Sequence, residues 1–205
     1  MATLQDLRDH IKSDVPIVGT DFDAQVDNAI RSALRQYRKK RLWFLKTAGT
    51  LTLAEGDNTV SLPSDFSAPY NFNIIQNGSR KGDGSGFDYL TYDRLEREYY
   101  YTDPINTGPP EACAVLNGVL YVSHLSDGEY SIPIVYFKED ATLPTSISDT
   151  SVWFDEGYDA IRSLAMFIFK REAKGYTPAK EDGELASYYI NNLYEQNQAY
   201  DEGKS

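Results

Sequence analysis

The chain has 205 residues, a formal net charge of −11, 41% hydrophobic and 13% aromatic residues. That composition excludes a disordered chain and opposes general nucleic-acid binding, which relies on Lys and Arg to neutralise phosphate. The length fits one domain, or one domain with an insertion. Cys113 is the single cysteine, which excludes an internal disulfide and a cysteine-based zinc site. Leu164–Phe169 is the longest apolar run and is far too short to span a bilayer. The opening MATLQDLRDH carries no signal peptide, so synthesis in the cytoplasm is expected, and Asn77-Gly78-Ser79 reads as a turn rather than a glycosylation site. Tyrosine is unusually common, at 16 residues. Such usage suits either protein interfaces or a β-rich fold.

In chain order, Thr3–Ser13 predicts a short amphipathic helix on Leu4, Leu7 and Ile11, with Thr3 as its N-cap. Val15-Pro16 and Gly19 break it. A long amphipathic helix is then expected over 20–46, capped by Thr20 or Asp21. Phe22, Val26, Ala29, Ile30, Ala33 and Tyr37 form one stripe at 100° per residue, with Arg31, Arg35, Arg38 and Lys39 on the opposite side. Lys40, Arg41 and Lys46 add charge around Trp43, Phe44 and Leu45. A basic face on an acidic chain points to an acidic partner, including another copy of the same chain. Its plainer reading is a solvated face that complements the helix dipole.

The middle of the chain is expected to be β-rich. Thr47–Leu53 and Thr59–Leu62 flank the AEGDN turn as a hairpin, and Phe72–Gln76 is another strand. Asn77–Gly86 reads as a glycine-rich loop and Thr91 to about Tyr100 as a short helix. Ala112–Leu116, Val119–Ser123 and Tyr130–Phe137 form an expected antiparallel meander, turning at Asn117-Gly118 and Asp127-Gly128. Two helices close the chain. Asp155–Lys174 is apolar almost all round, and Gly175 stops it. The last helix, from Thr177-Pro178 to about Tyr200, carries the stripe Leu185, Tyr188, Tyr189, Asn192, Gln196 and Ala199, more like a wet interface than a dry core. The expected fold is therefore α+β. Terminal helices, residues 1–46 and 151–205, form a helical bundle; residues 47–150 form an inserted antiparallel β-rich portion, a small sandwich or barrel-like unit.

The chain carries no HExxH, GxSxG or Walker A pattern. Gly82-Asp83-Gly84-Ser85-Gly86 lacks the lysine and the strand–loop–helix context of a phosphate loop. A Cys113–His pair formed by folding stays open, although strand cysteines are usually buried small hydrophobes. Carboxylates such as Glu96 and Glu98, or Glu181, Asp182 and Glu184, show no EF-hand spacing and read as solvated faces. No sign of an enzyme, metal site or cofactor emerges.

The order of these parts resembles bacteriophage head-to-tail adaptor (connector) proteins, including those of the tail tubular A type. The likeness lies in LQDLRDHI followed by FDAQVDNAIRSALRQYRKKRLWFLKTAGTLTL, in the LPSDF step at Leu62–Phe66, and in FDEGYDAIRSLAMFIFKREAKG followed by a long polar helix. In such adaptors a helix of this kind runs into a tryptophan–phenylalanine knot and then a strand. The resemblance implies a non-catalytic structural protein of the virion neck. It implies a ring, of twelve copies in this family, that binds the portal and a tail or nozzle protein and surrounds a channel. DNA passes through that channel without specific binding, and no membrane is involved.

The expected subunit or portal interface comprises Arg31, Arg35, Arg38, Lys39, Arg41, Trp43 and Phe44 on one side. On the other it comprises Leu185, Tyr188, Tyr189 and Tyr200. The segment 181–202 carries six acids, with one base, Lys180, at its edge. Its charge is opposite to that of 31–46, which suits two different faces meeting across a subunit boundary. Two other readings remain: a β-rich glycan-binding or tail-accessory module, and a hydrolase with dispersed carboxylates.

Overall fold

A computed structural model describes residues 2–15, 22–38, 40–72, 75–76, 79–80, 88–100, 106–140, 143–173 and 176–201. The elements run α1 (Leu4–Asp14), α2 (Asp23–Tyr37), a 3-10 turn (Trp43–Leu45), then β1 (Lys46–Leu53), β2 (Thr59–Ser61), β3 (Phe66–Phe72), β4 (Ile75–Gln76), β5 (Ser79–Arg80) and β6 (Asp88–Tyr89). Next come α3 (Tyr92–Leu95), a π turn (Glu96–Tyr100), β7 (Thr107–Gly108), β8 (Ala112–Leu116), β9 (Val119–Val122), β10 (Leu125–Ser126) and β11 (Tyr130–Lys138). The chain ends with α4 (Val152–Asp155), α5 (Tyr158–Glu172) and α6 (Lys180–Asp201). Two compact units result: residues 1–45 with 139–205, and residues 46–138.

In the helical unit, α1 begins at a capping box. Thr3 Oγ1 accepts the Asp6 N–H at 3.2 Å, and Asp6 Oδ2 accepts the Thr3 N–H at 2.8 Å. The Thr3 hydroxyl, which donates to Asp6 Oδ2 at 2.7 Å, and then the Thr3 N–H hold the Asp6 carboxyl below the usual carboxylate range. Asp149 O and Ile147 O accept the Leu4 and Gln5 N–H groups, so a remote segment satisfies helix-start donors that have no partner inside the helix. The α2 helix buries Val26, Ala29, Ile30, Ala33, Leu34 and Tyr37, as its periodicity predicts. It ends at Tyr37, well short of residue 46, and the chain turns through Leu42–Leu45 before β1. Its N-cap is Phe22, with no side-chain cap bond; the expected caps Thr20 and Asp21 lie outside the described residues.

The helix expected over Asp155–Lys174 is α5, which starts three residues later, at Tyr158; the short α4 precedes it, and Glu156-Gly157 separates the two. A Cβ on Gly157 would lie 2.6 Å from Trp153 Cε3, so the chain bends where the buried indole leaves no room for a side chain. The helix ends at Glu172, and Gly175 is outside the described residues.

The sheet unit departs from the expected pairings. β1 does not form a hairpin with β2. It pairs along its whole length with β11, from Lys46 opposite Phe137 to Leu53 opposite Tyr130. β11 also pairs β3 and β4, whereas β2 pairs β9 in a second sheet with order β2-β9-β8-β6. The expected meander is therefore split between sheets. The β8–β9 hairpin forms on Asn117 (φ 50°) and Gly118 (φ 77°), the left-handed pair that a type I′ turn needs. Two short pairings, β6 with β8 and β7 with β10, are parallel. The strand Phe66–Phe72 is additional, and part of the expected 77–86 loop, Ser79–Arg80, pairs with β4.

Alternate residues of β11, namely Tyr130, Ile132, Ile134 and Tyr136, point into one core with Leu51, Leu53 and Phe72 from the same sheet. Cys113, Leu120 and Val122 of the other sheet close that core from the opposite side. The result is an α+β chain whose two sheets pack face to face, and the strands described form no closed barrel.

Candidate interaction surface

The basic cluster is only partly a surface. Arg31 lies half-buried, with Nε donating to Pro144 O at 2.7 Å, Nη1 to Asn28 Oδ1 at 3.3 Å, and Nη2 4.0 Å from Asp27. Arg38 Nε sits 3.1 Å from Glu139 Oε1. Lys40 Nζ lies 6.0 Å from the Tyr194 ring centroid on α6. These cations are engaged inside the helical unit. Lys39 lies outside the described residues. Arg35 and Arg41 are exposed.

The aromatic knot is an internal anchor. Trp43 and Phe44 meet edge to face at 5.1 Å, Phe44 meets Trp153 edge to face at 4.9 Å, and Tyr37 stacks on Trp153 at 5.9 Å. Trp153 is fully buried, while Trp43 and Phe44 are half-buried. The knot thus fixes the exit of the 3-10 turn against α4.

On α6 the packed face is Asp182, Ala186 and Leu193, not the tyrosine stripe. Asp182 sets that rotation. Its Oδ1 receives Lys170 Nζ of α5 at 2.7 Å and its Oδ2 accepts the Ala179 N–H at 2.8 Å, so a carboxylate that sequence places on a solvated face is 9% exposed. Tyr189 is half-buried, and its ring meets that of Tyr188 at 5.4 Å. Tyr188 is 63% exposed, Tyr200 49% and Leu185 40%. Glu181, Glu184 and Glu195 are exposed on the same outward side. Beside Tyr188 runs an open groove of about 800 Å³, lined by Phe167, Pro178, Gly183, Tyr188 and Asn191, with Lys180 and Glu184 at its rim. Reading α6 by its tyrosines missed Phe167, Glu184 and Glu195. The signal lay in Asp182, Ala186 and Leu193, a spacing of four and then seven residues that marks the buried side.

The residues with chemical potential elsewhere are engaged structurally. Cys113 is fully buried and desolvation pushes its thiol up to about 12, the opposite of a nucleophile's tuning. Neither histidine's Nδ1 faces it: His124 Nδ1 lies 3.0 Å from Ser123 Oγ, and His10 Nδ1 contacts the Tyr158 hydroxyl. Ser123 Oγ accepts the Glu111 and Ala112 N–H groups at 2.9 and 3.3 Å, and the residue is fully buried. With both lone pairs used, its own proton goes to His124 Nδ1, so this pair fastens β8 to the end of β9. Three carboxylates, Asp155, Glu156 and Asp159, border a 160 Å³ pocket against α6. That volume falls below the usual range for ligand sites, and Asp155 Oδ1 accepts the Ala2 N–H at 2.7 Å. Among the described residues no cluster of His, Cys, Asp and Glu has the makings of a metal site, and no helix is long and apolar enough to cross a membrane.

A family model described as SU10 adaptor protein matches residues 2–202. No curated protein matches the chain significantly.

Proposed function

Because this chain belongs to the SU10 adaptor protein family, we propose that it is a structural, non-catalytic adaptor of a bacteriophage neck, joining head to tail. The observation that carries this reading is the extent of the match, which takes in both the helical unit and the sheet unit. The finer features follow the resemblance. Copies form a ring, twelve in number, that docks on the portal above and a tail or nozzle protein below, after synthesis in the host cytoplasm. The helical unit makes the ring, and the sheet unit is the insertion carried on it. The likeness to tail tubular A-type adaptors rests on the Trp43-Phe44 knot and the Leu62–Phe66 step.

Charge supports a channel through which DNA slides. At −11 per copy, an assembled ring presents an acidic lumen that repels phosphate, so the genome passes without specific binding. A ring structure with a continuous basic lumen contradicts this. The whole reading is tested by mixing the protein with its cognate portal and imaging the product by electron cryo-microscopy. A ring of copies seated on the portal is expected; a protein that never associates with portal or tail components overturns it.

One observation favours the glycan-binding alternative. The rings of Tyr136, Phe66, Phe72 and Tyr89 stack in sequence at 5.4, 6.5 and 6.0 Å and end at Tyr89, which is 53% exposed. Tyr70, also exposed among the described residues of the sheet unit, has its face covered by Lys46 Nζ at 3.7 Å. Binding on a glycan array that is lost in Tyr89→Ala would favour that alternative.

A further inference from the structure

We propose that the outward face of α6 is the receiving half of a copy-to-copy contact, and that its occupant is a second copy, through Arg35 near the end of α2 and Arg41 in the turn that follows it. This inference rests on the adaptor reading and names the residues by which its ring closes.

The outward face is defined by what α6 does with its other sides. Asp182, Ala186 and Leu193 pack inward, and Lys40 of the same chain covers the Tyr194 flank. That leaves Glu181, Glu184, Tyr188, Asn191 and Glu195 along one solvent side of the helix. No Lys or Arg lies between Lys180 and Asp201, and Lys180 itself meets Glu184 in an exposed pair at 3.2 Å, which an incoming guanidinium has to share or displace. Tyr188 stands in the middle of this acidic stripe and is the most exposed large hydrophobic side chain among the described residues. A tyrosine flanked by carboxylates is matched by guanidinium groups, which stack on the ring face while their N–H fork meets the acids. Tyrosine and arginine are also the side chains that most often carry interface energy.

Two arginines of the same chain have that chemistry to offer. Arg31 and Arg38 are held by Pro144 and Glu139, but Arg35 and Arg41 are exposed and make no ion pair among the described residues. Donors and acceptors belong to different elements, α2 with the turn after it and α6. A contact between different surfaces is heterologous and propagates from copy to copy until a ring closes. Reversing Arg38 is a poor probe, since it breaks the Glu139 pair within the fold.

The test uses two doubly charge-reversed chains. Variant one is Glu184→Lys with Glu195→Lys, and variant two is Arg35→Glu with Arg41→Glu; all four positions are exposed, so both variants fold as wild type by circular dichroism. Native mass spectrometry, with cognate portal present as the seed, reads the assemblies. Wild type forms rings, and each variant alone loses them, because like charges then face each other at every contact. An equimolar mixture restores rings in which the two variants alternate in equal number, since each junction again pairs opposite charges. Rings from either variant alone, an unrestored mixture, or a random ratio overturns the α2–α6 contact and leaves the adaptor reading intact. Wild type that forms no ring even on the portal overturns both.

Discussion

In the helical unit, the α1–α2, α1–α5 and α5–α6 joints are closed by ion pairs, while α2 meets α4 through Tyr37 stacked on Trp153. Arg8 of α1 meets Asp27 of α2 with Nε and Nη2 at 2.8 and 2.5 Å, and Lys12 meets Asp23 at 2.5 Å. Arg162 of α5 reaches Asp14 of α1, and Lys170 of α5 reaches Asp182 of α6. In the sheet unit the equivalent work falls to rings and aliphatic side chains: Phe66 on Tyr136, Tyr92 on Tyr121, and the Leu51–Ile134 core. Its Arg94–Glu98 pair is exposed and lies within one turn. Strands already have their partners fixed by backbone hydrogen bonds, so their side chains need only fill volume. Helices satisfy their backbones internally and use side-chain charge at the rim of the packed stripe to fix which neighbour they meet.

That contrast can be broken from either side. The largest effect is expected in the sheet core. Ile134→Ala leaves a cavity where the side chain is 1% exposed and lowers stability by about 2–5 kcal/mol, with little dependence on salt in urea unfolding. Arg8→Ala leaves Asp27 with only Arg31 Nη2, 4.0 Å away, and costs roughly 2–3 kcal/mol. That falls short of a fully buried pair because 11% of each side chain still meets water. Its effect shrinks as salt rises, and an equal loss at all salt concentrations would erase the distinction drawn between the units. Gly157→Ala forces a methyl against Trp153 and costs about 1–3 kcal/mol, read as a lower thermal midpoint with loss of near-ultraviolet tryptophan signal.

The smallest effect sharpens the comparison by pH. The Asp6 carboxyl is lowered by its Thr3 bonds, and Asp149 by the Ser146 and Thr145 N–H groups. Both are carboxylates, Asp6 exposed and Asp149 half-buried, whose folded value lies below the unfolded one. Their contribution is present above about pH 4, the ordinary aspartate value, and is lost as pH falls through the lowered one. Hydrogen exchange at the start of α1 should therefore quicken in acid before exchange in β11 does. Asp149→Asn should quicken it at neutral pH. Simultaneous loosening of α1 and β11 would count against a local effect.

Much of the local structure is written in the residues near it. Thr3 with Asp6, the stripe of α2, and Asn117-Gly118 each state a cap, a helix face or a turn within a few positions, and the structure carries all three. The order of terminal helices around a β-rich middle also follows from local periodicity. Candidate surface residues were less legible. Arg31 and Arg38 look like free cations until Pro144 and Glu139, about a hundred residues later, are brought beside them. The orientation of α6 waits on Lys170, which turns Asp182 inward and sends Tyr188 out.

By itself, then, the sequence determined the start of α1, the buried face of α2, the Asn117-Gly118 turn, the α+β order and the opposed charge of two segments, because those depend on neighbours within a turn or two. Only the tertiary structure decided that β1 pairs β11 rather than β2, that Trp153 forbids a side chain at 157, and which cations stay at the surface. Those outcomes depend on contacts between residues far apart in the chain, where any strand edge or carboxylate of suitable chemistry competes and packing selects one.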